Sequence, residues 1–145
     1  MILKYKKLDP RACEPKYATA GSACLDVTAV LDKDILIHPG ASVNIRTGLA
    51  FEVPEGYVLM LYSRSGHGFK QGLRFVNGTG IIDSDYRGEV RVGLYNDSVS
   101  SQEVKAGERI AQFMLIPVTR LQLQESEDLE KTDRGQNGFG STGKF

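Results

Sequence analysis

Three short runs in this chain of 145 residues carry side chains suited to chemistry on a phosphate. The first is Gly80-Ile81-Ile82-Asp83-Ser84-Asp85-Tyr86-Arg87-Gly88. A carboxylate in such a polar turn can hold a water molecule and take its proton. The spacing D-x-D-x-x-G imitates the start of a calcium-binding helix-loop-helix. That loop needs a glutamate at its twelfth position, and the residue found there, counted from Asp83, is Leu94. Read alone, the run is equally an ordinary hairpin turn. The second run is Ser63-Arg64-Ser65-Gly66-His67-Gly68. A guanidinium fork, a hydroxyl and glycine amides suit phosphate, although a surface turn has the same composition. Ser65 and His67 do not make a serine hydrolase, because the strand-turn-helix frame of G-x-S-x-G is missing. The third run, Gly138-Phe139-Gly140-Ser141-Thr142-Gly143, satisfies G-x-G-x-x-G, and Gly135 to Thr142 nearly matches a phosphate loop with Ser141 in place of lysine. Both folds need a strand before and a helix after, and only Lys144 and Phe145 follow. The chemistry survives without those folds. Arg134, Ser141, Thr142 and glycine amides are phosphate donors, and Phe139 offers a face to a base. Cys13, Cys24, His38 and His67 lack the paired spacing of a zinc site.

The elements that would carry these runs read as strands. Val43 and Ile45 alternate with Ser42, Asn44 and Arg46. Val90, Val92 and Leu94 alternate with Glu89, Arg91, Gly93 and Tyr95. Leu121 and Leu123 alternate with Gln122 and Gln124. Val58 to Tyr62 and Phe113 to Ile116 read as more fully buried strands. Turn signals separate these runs at His38-Pro39-Gly40, Pro54-Glu55-Gly56, Asn96-Asp97-Ser98 and Lys105-Ala106-Gly107-Glu108. Many short strands between regular turns predict an all-β sandwich or jelly-roll-like barrel, with room for one short helix near Ser65 to Gln71. The expected division is a β-barrel domain over residues 1–124 and, over 125–145, an acidic linker followed by a Gly-rich C-terminal arm. The arm cannot form a core of its own.

Composition narrows the partners. Apolar residues make up 41% and charged residues 25%, as in ordinary soluble domains. The formal net charge is zero, so there is no electrostatic case for nucleic-acid or membrane binding. The first residues lack a signal-type apolar run, and no stretch approaches a membrane span. The expected compartment is the cytoplasm, with Cys13 and Cys24 reduced.

Together the runs resemble the five ordered motifs of the trimeric dUTPase family, the deoxyuridine triphosphate nucleotidohydrolases. The first is similar to Ala20-Gly21-Ser22-Ala23-Cys24-Leu25-Asp26-Val27 and the second to Arg64-Ser65-Gly66. The third is similar to Asn77 through Gly88, the fourth to Gly107-Glu108-Arg109-Ile110-Ala111-Gln112 and the fifth to Arg134 through Gly143. The resemblance covers Ala20 to Gly143. The chain departs from the family pattern at Cys24, where glycine is usual, at Ser63, where proline is common, and at His67-Gly68-Phe69.

The resemblance implies a flexible-armed jelly-roll homotrimer whose active sites are each shared among three chains. Its substrate would be dUTP, cleaved to dUMP and pyrophosphate with Mg2+, which lowers dUTP and supplies dUMP for thymidylate synthesis. Asp83 would be the general base, directing water at the α-phosphorus. Arg64, Ser65 and Gly66 would bind phosphate, assisted by Gln112. Arg134, Ser141 and Thr142 would clamp the γ-phosphate, with Phe139 and Gly140 closing over the nucleotide. Asn77 and the backbone of Gly80, Ile81 and Ile82 would read uracil. Tyr86 would pack against the deoxyribose, and Arg91 would touch ligand. Asp26 would serve the metal indirectly, through water, or orient arginine. A dCTP deaminase on the same fold would need a different acid-base set in place of Gly80 to Tyr86. A non-catalytic β-module would have no use for both Asp83 and the arm.

Overall fold

The computed structural model describes residues 1–139 and 141. Its ordered part is built from short strands: β1 (Lys4–Lys7), β2 (Lys16–Tyr17), β3 (Leu25–Thr28), β4 (Ile35–Ile37), β5 (Ser42–Glu52), β6 (Tyr57–Tyr62), β7 (Leu73–Phe75), β8 (Gly80–Ile82), β9 (Val90–Asn96), β10 (Gln102–Val104) and β11 (Arg109–Pro117). They form a four-stranded sheet in the order β1-β5-β9-β7, a five-stranded sheet in the order β2-β3-β11-β6-β8, and a two-stranded ribbon of β10 and β4. All the recorded strand pairs are antiparallel.

The alternating runs explain the layers. Along β9, Val90, Val92 and Leu94 are buried while Arg91 is exposed, so one face enters the core. Leu59 and Leu61 of β6 and Phe113 of β11 meet them from the other sheet as part of one buried cluster. Phe51 and Phe113 join the two sheets edge to face, their centroids 5.1 Å apart. Each fully buried side chain of this size stabilises the fold by about 1.5–3 kcal/mol.

β5 is long because it serves two partners. Ser42 to Arg46 pair with β9, and Leu49 to Glu52 pair with β1. The β5–β9 register shifts between Arg46 and Leu49, and Gly48 sits there at φ 66°. A Cβ at Gly48 would approach the Ala12 Cβ to 2.8 Å, so both the backbone angle and the space require glycine.

Three expectations change. The helical segment is present near Ser65 to Gln71, but it is a π-helical turn, Gly66–Gln71, closed by Gly72 in the left-handed region. Residues 121–124 form no strand. Leu121 and Leu123 alternate correctly but find no ladder partner among the described residues and are largely exposed. Alternation supplies a face, and without a neighbour to hydrogen-bond, it does not make a strand. Met114, Leu115 and Ile116 are only partly buried, because β11 covers the core with one face and leaves the other outward.

Candidate functional site

The register of the five-stranded sheet brings distant runs together. Gln112 of β11 lies opposite both Asp26 of β3 and Tyr62 of β6. Directly opposed residues share a face, so Asp26, Gln112 and Tyr62 form one row on the outward side. Just past the end of β6, the chain delivers Arg64. Its Nε donates to Asp26 Oδ1 at 3.0 Å and its Nη1 donates to the Arg109 carbonyl at 3.2 Å. Arg109 Nη1 donates to Asp26 Oδ2 at 2.9 Å. One mostly buried carboxylate thus orients two arginines. Gln112 Nε2 donates to the Ser63 carbonyl at 3.0 Å and ties down the chain entering the Arg64-Ser65-Gly66 turn. Ser65 and Gly66 are exposed at the head of the π-helical turn, and π-turns recur at functional sites.

A second tie supports this turn. His67 is buried, and its Nε2 lies 3.0 Å from Glu108 Oε1, while Glu108 Oε2 accepts the Lys105 amide at 2.9 Å. His67 Nδ1 is buried and makes no hydrogen bond among the described residues. Glu108 and Arg109 lie in the run that resembles the fourth family motif, but the linear sequence gives neither a role and does not pair Glu108 with His67. Arg109 and Asp26 are 83 residues apart, and no local spacing announces such a pair. Beside Asp26, burial and the neighbouring carboxylate push the Cys24 thiol up from its ordinary value.

Asp83 lies elsewhere. β8 pairs with β6 through Leu61–Gly80, Met60–Ile81 and Leu59–Ile82, so Asp83 emerges one step beyond, near Val58. It is exposed in a cleft of about 550 Å³ lined by Tyr57, Met60, Ile81, Asp83, Asp85 and Arg120. Asp26 and Arg109 line a different cleft, of about 620 Å³, with Lys16 and Tyr17. Arg64 lies two residues past the end of β6 at Tyr62, and the four strand steps from Val58 to Tyr62 alone span roughly 13 Å at about 3.3 Å per residue, so Asp83 and the Arg64 turn flank opposite ends of β6.

The other sequence-predicted residues fall around the two ends of β8. Asn77 is exposed in the turn before it, where the Thr79 amide donates to the Asn77 carbonyl at 2.7 Å. Gly80 is packed so closely on β6 that a Cβ would meet the Leu61 Cβ at 2.9 Å. Ile81 faces outward, 62% exposed, and Ile82 is partly buried. After Asp83 the turn folds back. The Tyr86 amide donates to the Asp83 carbonyl at 3.3 Å, and the Tyr86 hydroxyl donates to the Glu89 carbonyl at 3.1 Å. Arg87 Nη1 donates to the carbonyls of Ser84 and Tyr86 and braces the turn. Arg91 is on β9, its Nε donating to Glu89 Oε2 at 3.3 Å.

The described residues of the arm follow β11 and are almost all exposed. Arg134 Nε donates to the Asn137 carbonyl at 2.9 Å, and the Ser141 amide donates to the Gly138 carbonyl at 3.0 Å. Phe139 is fully exposed at φ 49°. Gly140 and Thr142 lie outside the described residues.

Arginine forks steered by one carboxylate, exposed glycines and a separate open aspartate, all carried on a β-sandwich, are groups whose chemistry suits phosphate. Comparison with known proteins makes the class specific. The dUTPase family model matches residues 11–143, and the chain belongs to the dUTPase family of enzymes. It is 46% identical over 144 residues to the deoxyuridine 5'-triphosphate nucleotidohydrolase of Nautilia profundicola, covering 99% of this chain and all of that protein. It is 42% identical to the Acinetobacter baumannii protein of the same name, covering 99% of each. The dUTPase of Staphylococcus bacteriophage 80alpha, solved with dUPNHPP, superposes with a TM-score of 0.88 at 29% identity, covering 98% of both chains. The shared architecture is the all-β, jelly-roll-like barrel that the strand pattern predicts. Among the described residues, no helix is long and apolar enough to cross a membrane.

Proposed function

We propose that the protein hydrolyses dUTP to dUMP and pyrophosphate at sites shared between copies of the chain. The observation that carries this reading is the separation of parts along β6. The open carboxylate Asp83 is at one end and the Asp26-steered arginine Arg64 at the other, on a chain 46% identical to a deoxyuridine triphosphate nucleotidohydrolase. A nucleoside triphosphate cannot bring its α-phosphorus to Asp83 and its outer phosphates to Arg64 of the same chain over such a distance. A neighbouring copy supplies the missing half. The outward face between the two ends offers the contact, since Met60, Met114, Ile81 and Ile116 lie there partly or largely exposed. A homotrimer, with the arm of a third copy closing each site, satisfies this geometry.

In that site Asp83 holds water and takes its proton as the water attacks the α-phosphorus in line, with pyrophosphate leaving. Arg64, Ser65 and Gly66 bind phosphate oxygens while Gln112 fixes their turn. Asn77 and the β8 backbone at Gly80, Ile81 and Ile82 face the uracil edge, where a close wall rejects the thymine methyl group. Tyr86 fills the space a 2′-hydroxyl would need. Residues 125–145 act as the arm. Its Arg134, Ser141 and Thr142 clamp the γ-phosphate, and Phe139 and Gly140 cover the base.

Among the described residues no three metal-binding side chains converge, and both oxygens of Asp26 accept from arginine. That donor set fits a Mg2+ carried on the triphosphate and its waters, with Asp26 reached through water. When bound, the ion supplies neutralisation of charge on the phosphates. Free Cys13 and Cys24 suit a reaction in the reducing cytoplasm.

Turnover of dUTP in heavy-oxygen water tests the reading. The expected products are pyrophosphate without label and dUMP carrying the label on its phosphate. Labelled pyrophosphate, or dUDP with orthophosphate, overturns attack at the α-phosphorus. Ammonia released from dCTP points to a deaminase instead.

A further inference from the structure

Glu89 is outside every group so far given a role, yet two of the substrate-facing residues lean on it. Its side chain is 14% exposed, just before β9. Oε1 accepts from the Gly48 amide at 2.9 Å and from Arg46 Nε at 3.1 Å. Oε2 accepts from Arg46 Nε at 3.2 Å and from Arg91 Nε at 3.3 Å. The carboxylate therefore plugs the β5 bulge, the one place where β5 leaves its register with β9. Arg46 is itself held from behind by Asp9, with Nη1 3.4 Å from Oδ2.

The backbone of Glu89 carries this fixity to Tyr86. The Tyr86 hydroxyl donates to the Glu89 carbonyl, and its ring folds back over Gly88, where a Cβ would overlap the phenol. The ring thus has its tip tied to the residue that the bulge immobilises. Burial, the largest influence on Glu89, opposes its ionisation. The hydrogen bonds from Arg46, the Gly48 amide and Arg91 together outweigh it and hold the carboxyl below its ordinary value.

We infer that Glu89 is a positioning residue for sugar selection, setting Tyr86 through its carbonyl and Arg91 through its carboxylate. The inference rests on the reading that Tyr86 faces the deoxyribose. Without the carboxylate, the bulge loosens, the Tyr86 ring gains freedom, and space opens for a 2′-hydroxyl.

Steady-state turnover of dUTP and UTP by the full-length protein tests it, in the variants Tyr86→Ala, Tyr86→Phe, Glu89→Gln and Tyr86→Phe/Glu89→Gln. Glu89→Gln should lower the dUTP-to-UTP ratio of kcat/KM by about tenfold, mainly through KM, a size set by the modest discrimination available from steric exclusion of one group. Tyr86→Phe removes the hydroxyl through which Glu89 acts, so the two effects should fail to multiply in the double variant. Arg46→Lys keeps the charge but withdraws the paired hydrogen bonds, and it should move the ratio the same way even if Glu89→Gln does not fold. If Glu89→Gln and Arg46→Lys lower the melting temperature and leave the ratio unchanged while Tyr86→Ala changes it, Glu89 is a structural brace and the inference is overturned. If Tyr86→Ala itself leaves the ratio unchanged, the sugar-gate reading falls and takes this inference with it.

Discussion

Asp26 spends both carboxylate oxygens on guanidinium groups, one from Arg64 and one from Arg109. A carboxylate so placed does little hydrolysis itself, but it decides where two cationic forks point. Replacing it with asparagine keeps the shape and turns one acceptor into a donor facing an arginine. A hydrogen bond to a charged group contributes roughly 1.5–3 kcal/mol, so Asp26→Asn should lower kcat/KM for dUTP by about ten- to a hundredfold. The loss should come largely in KM, and circular dichroism should still report the β-fold. Unchanged kinetics would show that Arg64 needs no steering. At this scale the sequence was informative about residue types. Arg64 and Ser65 suit phosphate and Asp83 suits a water by residue type, while their immediate neighbours read equally as surface turns. The resemblance implied that Asp26 could orient an arginine, and it does; that the partners are Arg64 and Arg109 was not readable locally, because the pairs span 38 and 83 residues and depend on the β3–β11–β6 register. Glu89 gave no signal either. Between Gly88 and Val90 it looks like an ordinary solvent-facing strand position, and only the bulge at Gly48 turns it inward.

β8 has only three residues, yet it carries the run that leads into Asp83. Its placement depends on Gly80 fitting against Leu61, itself almost wholly buried. Gly80→Ala would push a methyl group into that contact, and overpacking of this kind costs roughly 1–3 kcal/mol. Denaturant titration should show that loss, and dUTP turnover should fall by more than the folded fraction does, because β8 shifts Asp83 as it yields. A variant with normal midpoint and normal turnover would mean that β8 can settle elsewhere. The tie among β1, β5 and β9 makes a second prediction. Hydrogen bonds from the Arg11 side chain and amide are the main cause that holds Asp9 well below the carboxylate range, and Glu89 is also held low. Both folded values are depressed, so their stabilisation is full above the unfolded value of about 4 and is lost as pH falls through the folded ones. The melting temperature should therefore drop as pH falls below about 4, and less steeply in Glu89→Gln; parallel curves for the two proteins would show that Glu89 does not contribute. β5 and β9 were legible from their alternation, and β6 and β11 from continuous apolar runs, although each of these two buries one face more than the other. β1, β2 and β10 were not, being short and largely polar, so that hydrogen bonding to a neighbour defines them and no apolar period does. Leu121 and Leu123 show the converse, a period without a partner.

Asp83 and Arg64, the proposed base and phosphate-binding residue, flank opposite ends of β6, and under the proposed function that arrangement has a consequence at the level of the assembly. If each site takes Asp83 from one copy and Arg64 from another, two crippled chains can repair each other. Asp83→Asn protein lacks the base but retains the arginine; Arg64→Ala protein lacks the arginine but retains the base. Each alone builds sites with one part missing throughout, and each should be nearly inactive. Unfolding the two together and refolding them lets copies associate at random. About a quarter of the sites would then draw Asp83 from an Arg64→Ala chain and Arg64 from an Asp83→Asn chain, by the combinatorics of a closed ring of like subunits. Turnover of the mixture should approach that fraction of the native rate, and each variant refolded by itself should show no gain. The same mixture made without unfolding should recover only as fast as copies exchange, which separates subunit sharing from contamination by native protein. Native mass spectrometry identifies the mixed species and their stoichiometry. Mixed assemblies that form and stay inactive would place base and arginine of each site on one chain. The β6–β8 register sets Asp83 beside Val58, at the other end of β6 from Arg64, so that result would also require β6 and β8 to rearrange on binding.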